Sequence, residues 1–231
     1  MAHPDNFSNF YTNENLGFDL KLVKEGYKQF HDFFVGHSCL ELGPASGYMT
    51  KLLVNDFKEV VSVEGSSELI QKIPKFNNLT VIHSLFENYI PQQKFDTIIL
   101  NHVLEHIKDP VKLLLKIKSW LTANGRVIVG VPNAKSFHRL AAVKMGLINS
   151  EYDLNRRDIE LGHYRVYDFE SLEKDCLKAR FKIIFKGGVF LKFLSNNQID
   201  KLLNDKIVNA YFELGDQFKA NSAEIFLVLE A

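Results

Sequence analysis

Apolar positions along the chain fall into two alternating rhythms, short unbroken runs and longer stretches with a helical spacing. Over 16–34 they recur at Phe18, Leu22, Tyr27, Phe30 and Phe34, which predicts a helix with one buried stripe. Ser38–Leu42 is short, apolar and stopped by Gly43-Pro44, the mark of a buried strand. The same reading predicts helices over 47–54, 66–73 (Ser66 as N-cap), 110–121, 137–145 and 168–179. It predicts strands over 59–63, Leu79–His83, 95–100, 126–131, 181–186 and 224–229, with Asn124-Gly125 closing the helix before the fifth. Strands and helices that alternate in this way imply right-handed crossovers and a doubly wound, three-layer α/β fold. The sheet is mostly parallel, with the last two strands pairing antiparallel at one edge, and apolar runs without alternation suit burial on both faces. The rhythm breaks over 133–167, a helical insertion after the fifth strand that is expected to lie over the strand ends. The chain thus divides into an N-terminal helical segment, 1–34, and one domain, 35–231, that carries the insertion.

Composition narrows the partners. Hydrophobic residues make up 46% of the 231 and charged residues 24%, an ordinary globular balance. Lys plus Arg and Asp plus Glu stand at 28 each, so no net field gathers nucleic acid or an anionic membrane, and neither is expected as a partner. Cys39 and Cys176 are far apart and share no metal or redox spacing. The polar first residues lack a signal-peptide pattern, and no apolar stretch approaches the roughly 20 residues of a membrane span, so the expected location is cytoplasmic.

Ligands of such sheets bind beyond the carboxyl ends of the strands, near the point where strand order reverses. Past the first strand stands Glu41-Leu42-Gly43-Pro44-Ala45-Ser46-Gly47, and past the second Glu64-Gly65. Ser84-Leu85-Phe86-Glu87 follows the third, and Asn101-His102-Val103-Leu104-Glu105-His106 the fourth. Gly43 and Gly47 let backbone approach a ligand where a Cβ would clash. Glu64 suits the two hydroxyls of a ribose, and Leu85 and Phe86 could hold an adenine between apolar faces. A dinucleotide loop would offer free N–H groups to a pyrophosphate, but Pro44 removes one, and Glu41 is awkward beside phosphate. Glu41 is sensible beside the ammonium of a methionine moiety. The loop favours a sulfonium nucleoside.

The segments 41–47, 63–66 and 101–110 resemble the class I S-adenosylmethionine-dependent methyltransferases, above all the small-molecule branch with ubiquinone-type and sugar methyltransferases. Gly162-His163-Tyr164-Arg165-Val166-Tyr167 resembles the segment that this branch places before its late helix. The likeness covers about 35–190 and implies a Rossmann-like fold with S-adenosylmethionine as cofactor. It implies that Glu41, Gly43, Pro44 and Gly47 surround the methionine part and Glu64 and Gly65 the ribose. Leu85 and Phe86 would flank adenine, with Asn101 and His102 near the sulfonium. Where the family commonly has an acid for the adenine amino group, Ser84 or Glu87 stands in. Tyr11 is a candidate lid over the cofactor.

Methyl transfer from sulfonium needs the acceptor on the axis opposite sulfur, and a hydroxyl or ammonium acceptor needs a base. His106 and His163 are the leading candidates, with His102 third. His102, Glu105 and His106 could gather a divalent ion, but Glu105 reads more simply as a cap for the next helix, and no metal is expected. Arg156, Arg157 and Arg165 would suit an acceptor bearing phosphate or carboxylate, or else form a solvated salt-bridge face. The aromatics Phe190, Phe193, Tyr211, Phe212 and Phe218 are expected to pack core. The expected function is methylation, at O or N, of a small polar metabolite, a sugar or surface-polysaccharide precursor among them. The alternatives are a nicotinamide-dependent oxidoreductase, disfavoured by the loop, and a non-catalytic S-adenosylmethionine-binding protein, disfavoured by the intact glycines and ribose acid.

Overall fold

The strands carry apolar residues toward both faces of one sheet, which is why their runs show no polar alternation. In β1 (Ser38–Leu42) Leu40 and Leu42 join one core and Cys39 the other. In β4 (Phe95–Asn101) Ile98 and Leu100 oppose Ile99, and β5 (Leu121–Pro132) divides Val127, Val129 and Val131 from Ile128 in the same way. The computed structural model describes residue 5 and residues 17–231. Together with β2 (Glu59–Glu64), β3 (Leu79–His83), β6 (Lys182–Val189) and β7 (Glu224–Glu230) these strands form a seven-stranded sheet ordered β3-β2-β1-β4-β5-β7-β6. The first five pair in parallel; β7 runs antiparallel between β5 and β6. Strand order reverses between β1 and β4, which opens a crevice at their carboxyl ends.

Helices cover both faces. The first core is closed by α4 (Pro110–Ser119) through Leu113, Leu114 and Ile117, and by α7 (Phe169–Lys178) through Leu172 and Cys176. The second is closed by α1 (Phe18–His31), α2 (Thr50–Asp56), α8 (Asn196–Leu202) and α9 (Asp205–Gln217), which contribute Phe18, Phe30, Leu53, Ile199 and Phe212. Short α3 (Ser67–Ile70) follows β2, and the Ser66 hydroxyl caps it as expected, accepting the Leu69 N–H at 3.3 Å. The insertion holds α5 (Phe137–Lys144) and α6 (Arg156–Glu160). No helix among the described residues is long and apolar enough to cross a membrane.

Several bounds differ from the sequence pattern, each for a local reason. The second helix starts at Thr50, not at 47, because Ala45 (φ 49°) and Gly47 (φ 81°) hold the preceding turn left-handed. Helix α4 stops at Ser119, and Asn124-Gly125 lie inside β5, because Leu121 is buried as the partner of Phe95 before the register slips to Thr97 and Arg126. Strand β6 runs on to Val189 because Gly187 faces Phe226 across the ladder, and a Cβ there would lie 2.1 Å from that ring. Of the late aromatics Phe190 and Phe212 are buried and Tyr211 packs against them, whereas Phe193 and Phe218 are about half exposed in connecting segments.

Candidate active site

A cavity of about 750 Å³ occupies the crevice, lined by the ends of β1, β2 and β4 and by residues from the 133–167 stretch. That size fits a small-molecule site. It is lined by Glu41, Gly43, Pro44, Glu64, Gly65, Ser84, Leu85, Phe86, Asn101, His102, His106 and His163, whereas Gly47 and Glu105 from the same strand-end segments do not line it. Tyr11 lies outside the described residues.

At one end the loop after β1 turns sharply. Gly43 has φ 72°, and a Cβ on it would stand 3.1 Å from the Val103 side chain. Its N–H is held by the Val63 carbonyl at 3.0 Å, and the Gly47 N–H by the Pro44 carbonyl at 2.8 Å. Glu41 is buried below the loop, where one carboxylate oxygen accepts from the Thr50 and Ser62 hydroxyls, each at 2.7 Å. Burial pushes its pKa up to about 7 despite those two bonds, and Glu64 adds to the rise. Glu64 accepts from the backbone N–H of Ser66 at 2.9 Å and of Ala45 at 3.2 Å, which fixes it across the loop; burial raises its pKa as well. Leu85 is 37% exposed although apolar, a flat face turned to the cavity side, and the Ser84 hydroxyl donates to the Leu85 carbonyl at 2.9 Å.

The segment after β4 builds the centre. His102 is left-handed (φ 56°) and lies between two carboxylates, with Nδ1 3.3 Å from Glu105 and Nε2 3.0 Å from Glu224. Desolvation opposes its charge, but Glu224 and Glu105 overcome it and hold the imidazolium well above the ordinary value. Glu105 is 1% exposed, and neither of its oxygens makes a well-formed hydrogen bond among the described residues. It does not cap α4: Asp109 does, taking the Lys112 N–H at 3.0 Å. His106 meets His163 edge to face at 4.6 Å between rings. Burial drives His106 down to about 4, Glu105 opposing and His163 and His102 adding to the fall. His163 Nδ1 is 3.2 Å from Asp158, which also pairs with Arg139 at 3.1 Å. The cluster that could coordinate an ion is Glu105, His106 and His163, with ligand atoms within 4.8 Å of one another; His163 replaces the His102 of the sequence-based set.

Residues 19–184 match the model of a methyltransferase domain. The chain belongs to this methyltransferase family. S-adenosylmethionine is its cofactor, and the nicotinamide alternative is set aside. A stretch of 102 residues is 29% identical to (S)-coclaurine N-methyltransferase of Thalictrum flavum subsp. glaucum, covering 41% of the chain but only 28% of that relative. A possible histamine N-methyltransferase of Thermotoga maritima superposes with a TM-score of 0.69 at 16% identity, over 97% of each chain. The N-methyltransferase NodS of Bradyrhizobium japonicum WM9, solved with S-adenosylhomocysteine, gives 0.64 at 12% identity over 98% of this chain and 97% of its own. At such identities the structural likeness carries the fold.

Three parts of the methyltransferase cavity escaped the sequence reading. Glu224 reads as the first residue of a strand, yet β7 enters the sheet beside β5 and delivers it to His102. Asp158 sits three residues after Asn155 in a capping box, a signal that was available in N-x-x-D. Lys192, a cation inside the apolar run Val189-Phe190-Leu191-Lys192-Phe193-Leu194, is 9% exposed on the cavity wall. Of the three arginines that the sequence pointed to, Arg157 lines the cavity, its guanidinium 2.7 Å from Asp19, and Arg139 of α5 joins it there. Arg156 pairs with Glu160 in solvent, and Arg165 donates to the Lys108 carbonyl.

Proposed function

We propose that the chain transfers the methyl group of S-adenosylmethionine to an oxygen or nitrogen of a small polar metabolite, with His163 taking the acceptor's proton. Glu41, Gly43, Pro44 and Gly47 receive the methionine part, Glu64 and Gly65 the ribose, and Ser84, Leu85 and Phe86 the adenine. Asn101 and His102 flank the sulfonium. The reading of 35–231 as the catalytic domain, with 133–167 as the acceptor-side roof, belongs to this proposal.

In the reaction the acceptor's lone pair attacks the methyl carbon, the carbon–sulfur bond breaks with its pair going to sulfur, and S-adenosylhomocysteine leaves as a neutral thioether. The protein's task is alignment and removal of one proton. His102 is tied as a cation between two carboxylates, and His106 is a weak base at about 4. His163 is left, with Asp158 fixing its Nδ1 as base–orienter pairs require. That His163–Asp158 contact, in the cavity that also contains Glu41 and Glu64, carries the proposal. Calorimetric titration with S-adenosylhomocysteine, followed by a screen of amines and alcohols for methyl transfer, tests it; no heat with the nucleoside would overturn it.

A second reading rests on the Glu105 oxygens, which beyond the ion pair with His102 make no well-formed hydrogen bond among the described residues. With His106 and His163 they offer one carboxylate and two imidazoles, a donor set that fits a divalent ion. A bound ion would polarise an acceptor hydroxyl. Full activity after exhaustive chelation excludes this reading.

A further inference from the structure

The charges of the cavity are separated along its length. Glu105 and Glu224 enclose the single cation His102, so two carboxylates share one positive charge. A negative surplus there suits a sulfonium. On the acceptor wall Arg139 is matched with Asp158, and Arg157 with Asp19. Lys192 has no such match. Its ammonium donates to the amide oxygen of Asn196 at 2.5 Å, and among the described residues no carboxylate comes within ion-pair range of it. The acid nearest in influence, Asp19, is engaged by Arg157 and by the Asn196 amide at 2.5 Å. An ammonium 9% exposed and unpaired by charge is costly. Natural sites keep such groups where a ligand supplies the counter-charge.

Its neighbours sharpen the point. His138 on the same wall donates its backbone N–H to the Lys192 carbonyl at 3.0 Å, and its buried Nδ1 has no partner among the described residues. Burial, then Lys192, presses its pKa to about 3, so the imidazole is neutral and adds no second charge. The same burial lowers Lys192 to about 8, still protonated at neutral pH.

Resting on the methyltransferase reading above, we propose that Lys192 is the anchor for a carboxylate on the methyl acceptor, which makes the substrate class a small amine or alcohol bearing one carboxylate. A single unmatched ammonium fits a single negative charge. A phosphate dianion would call for a guanidinium fork, and both cavity arginines are committed.

The test uses the full chain loaded with S-adenosylhomocysteine and three probes of one shape: benzoate, benzamide and phenyl phosphate. Wild type should bind benzoate about tenfold or more tightly over benzamide. Lys192→Met should erase that preference and Lys192→Arg restore it, with nucleoside affinity unchanged in all three proteins. Equal binding of benzoate and benzamide, no benzoate binding, or a preference that survives Lys192→Met would overturn the proposal. Tighter binding of phenyl phosphate would overturn the carboxylate assignment. If the nucleoside itself fails to bind, the cofactor reading falls, and the benzoate preference measured without it still decides the role of Lys192.

Discussion

The Nδ1 of His163 stands 3.2 Å from one oxygen of Asp158, while the other oxygen takes Arg139 at 3.1 Å and the Asn155 N–H at 2.9 Å. Asp158 thus orients the proposed base and pins the insertion in one stroke. His163→Gln should lower kcat by about 10²–10⁴ and leave the Kd for S-adenosylhomocysteine unchanged. Asp158→Asn should lower activity and also destabilise, by roughly 3–5 kcal/mol in denaturant unfolding, since Arg139 is left buried without its carboxylate. Retention of full kcat in His163→Gln would remove this residue from the mechanism.

Glu41 gives a pH dependence whose sign can be worked out. Its pKa rises from 4.5 to about 7 in the fold, so between those values the folded chain binds the proton that the unfolded chain releases. Stability of the nucleoside-free protein should therefore fall as pH rises from about 4.5 to 7, then level off. Glu41→Gln should flatten that slope. On the proposed seating the nucleoside's ammonium favours the ionised Glu41, so affinity for S-adenosylhomocysteine should climb through about pH 7 in wild type and stay flat and about tenfold weaker in the variant. Urea titrations and calorimetry at pH 5.5 and 8 read both.

How far this site could be seen in the sequence depends on how local its causes are. The glycine turn, Glu64 and the segment after β4 each stand at the end of a strand, and a strand's carboxyl end fixes where its next residues go. Ser66 as a cap and the antiparallel pairing of the last strands were legible for the same reason. Glu224, Asp158 and Lys192 were not, because each reaches the cavity through a long-range pairing: β7 sliding between β5 and β6, the insertion folding back, and β6 running past its glycines. Periodicity also misjudged helix starts and stops, since left-handed Ala45 and the bulge before Arg126 answer to tertiary contacts rather than to propensity.

Gly43 tests the closeness of backbone and ligand. At φ 72° an alanine is strained, and its Cβ would stand 3.1 Å from Val103. Gly43→Ala should cost about 1–2 kcal/mol in stability. On the proposed seating the same Cβ would meet the nucleoside, so affinity for S-adenosylhomocysteine should drop by more than that strain accounts for, about tenfold or beyond. An unchanged Kd would show that the nucleoside does not approach this turn.

His102 holds together a pair of acids that would otherwise repel. Asparagine there tolerates the left-handed backbone at φ 56° and removes the charge. Glu105, 1% exposed, then loses its nearest cation, and His102→Asn should destabilise the chain by roughly 3–5 kcal/mol at pH 8. In wild type the His102 contribution is fully present below the ordinary histidine value of 6.5 and is lost only as pH rises through its elevated folded pKa. Glu105 is lowered, so its contribution is present above 4.5 and lost as pH falls through its folded pKa. Wild-type stability from His102 and Glu105 should accordingly be level from about pH 5 to 6 and decline as pH rises beyond about 6.5. In the variant, the desolvation that is the largest influence on Glu105 loses its main counterweight, with His106 and His163 left to oppose it, so its pKa moves up and stability should fall as pH rises above about 4.5. Adding Glu105→Gln should remove that slope and recover most of the loss. If the double variant is as unstable at pH 8 as His102→Asn alone, the destabilisation comes from lost packing, not from an uncompensated carboxylate.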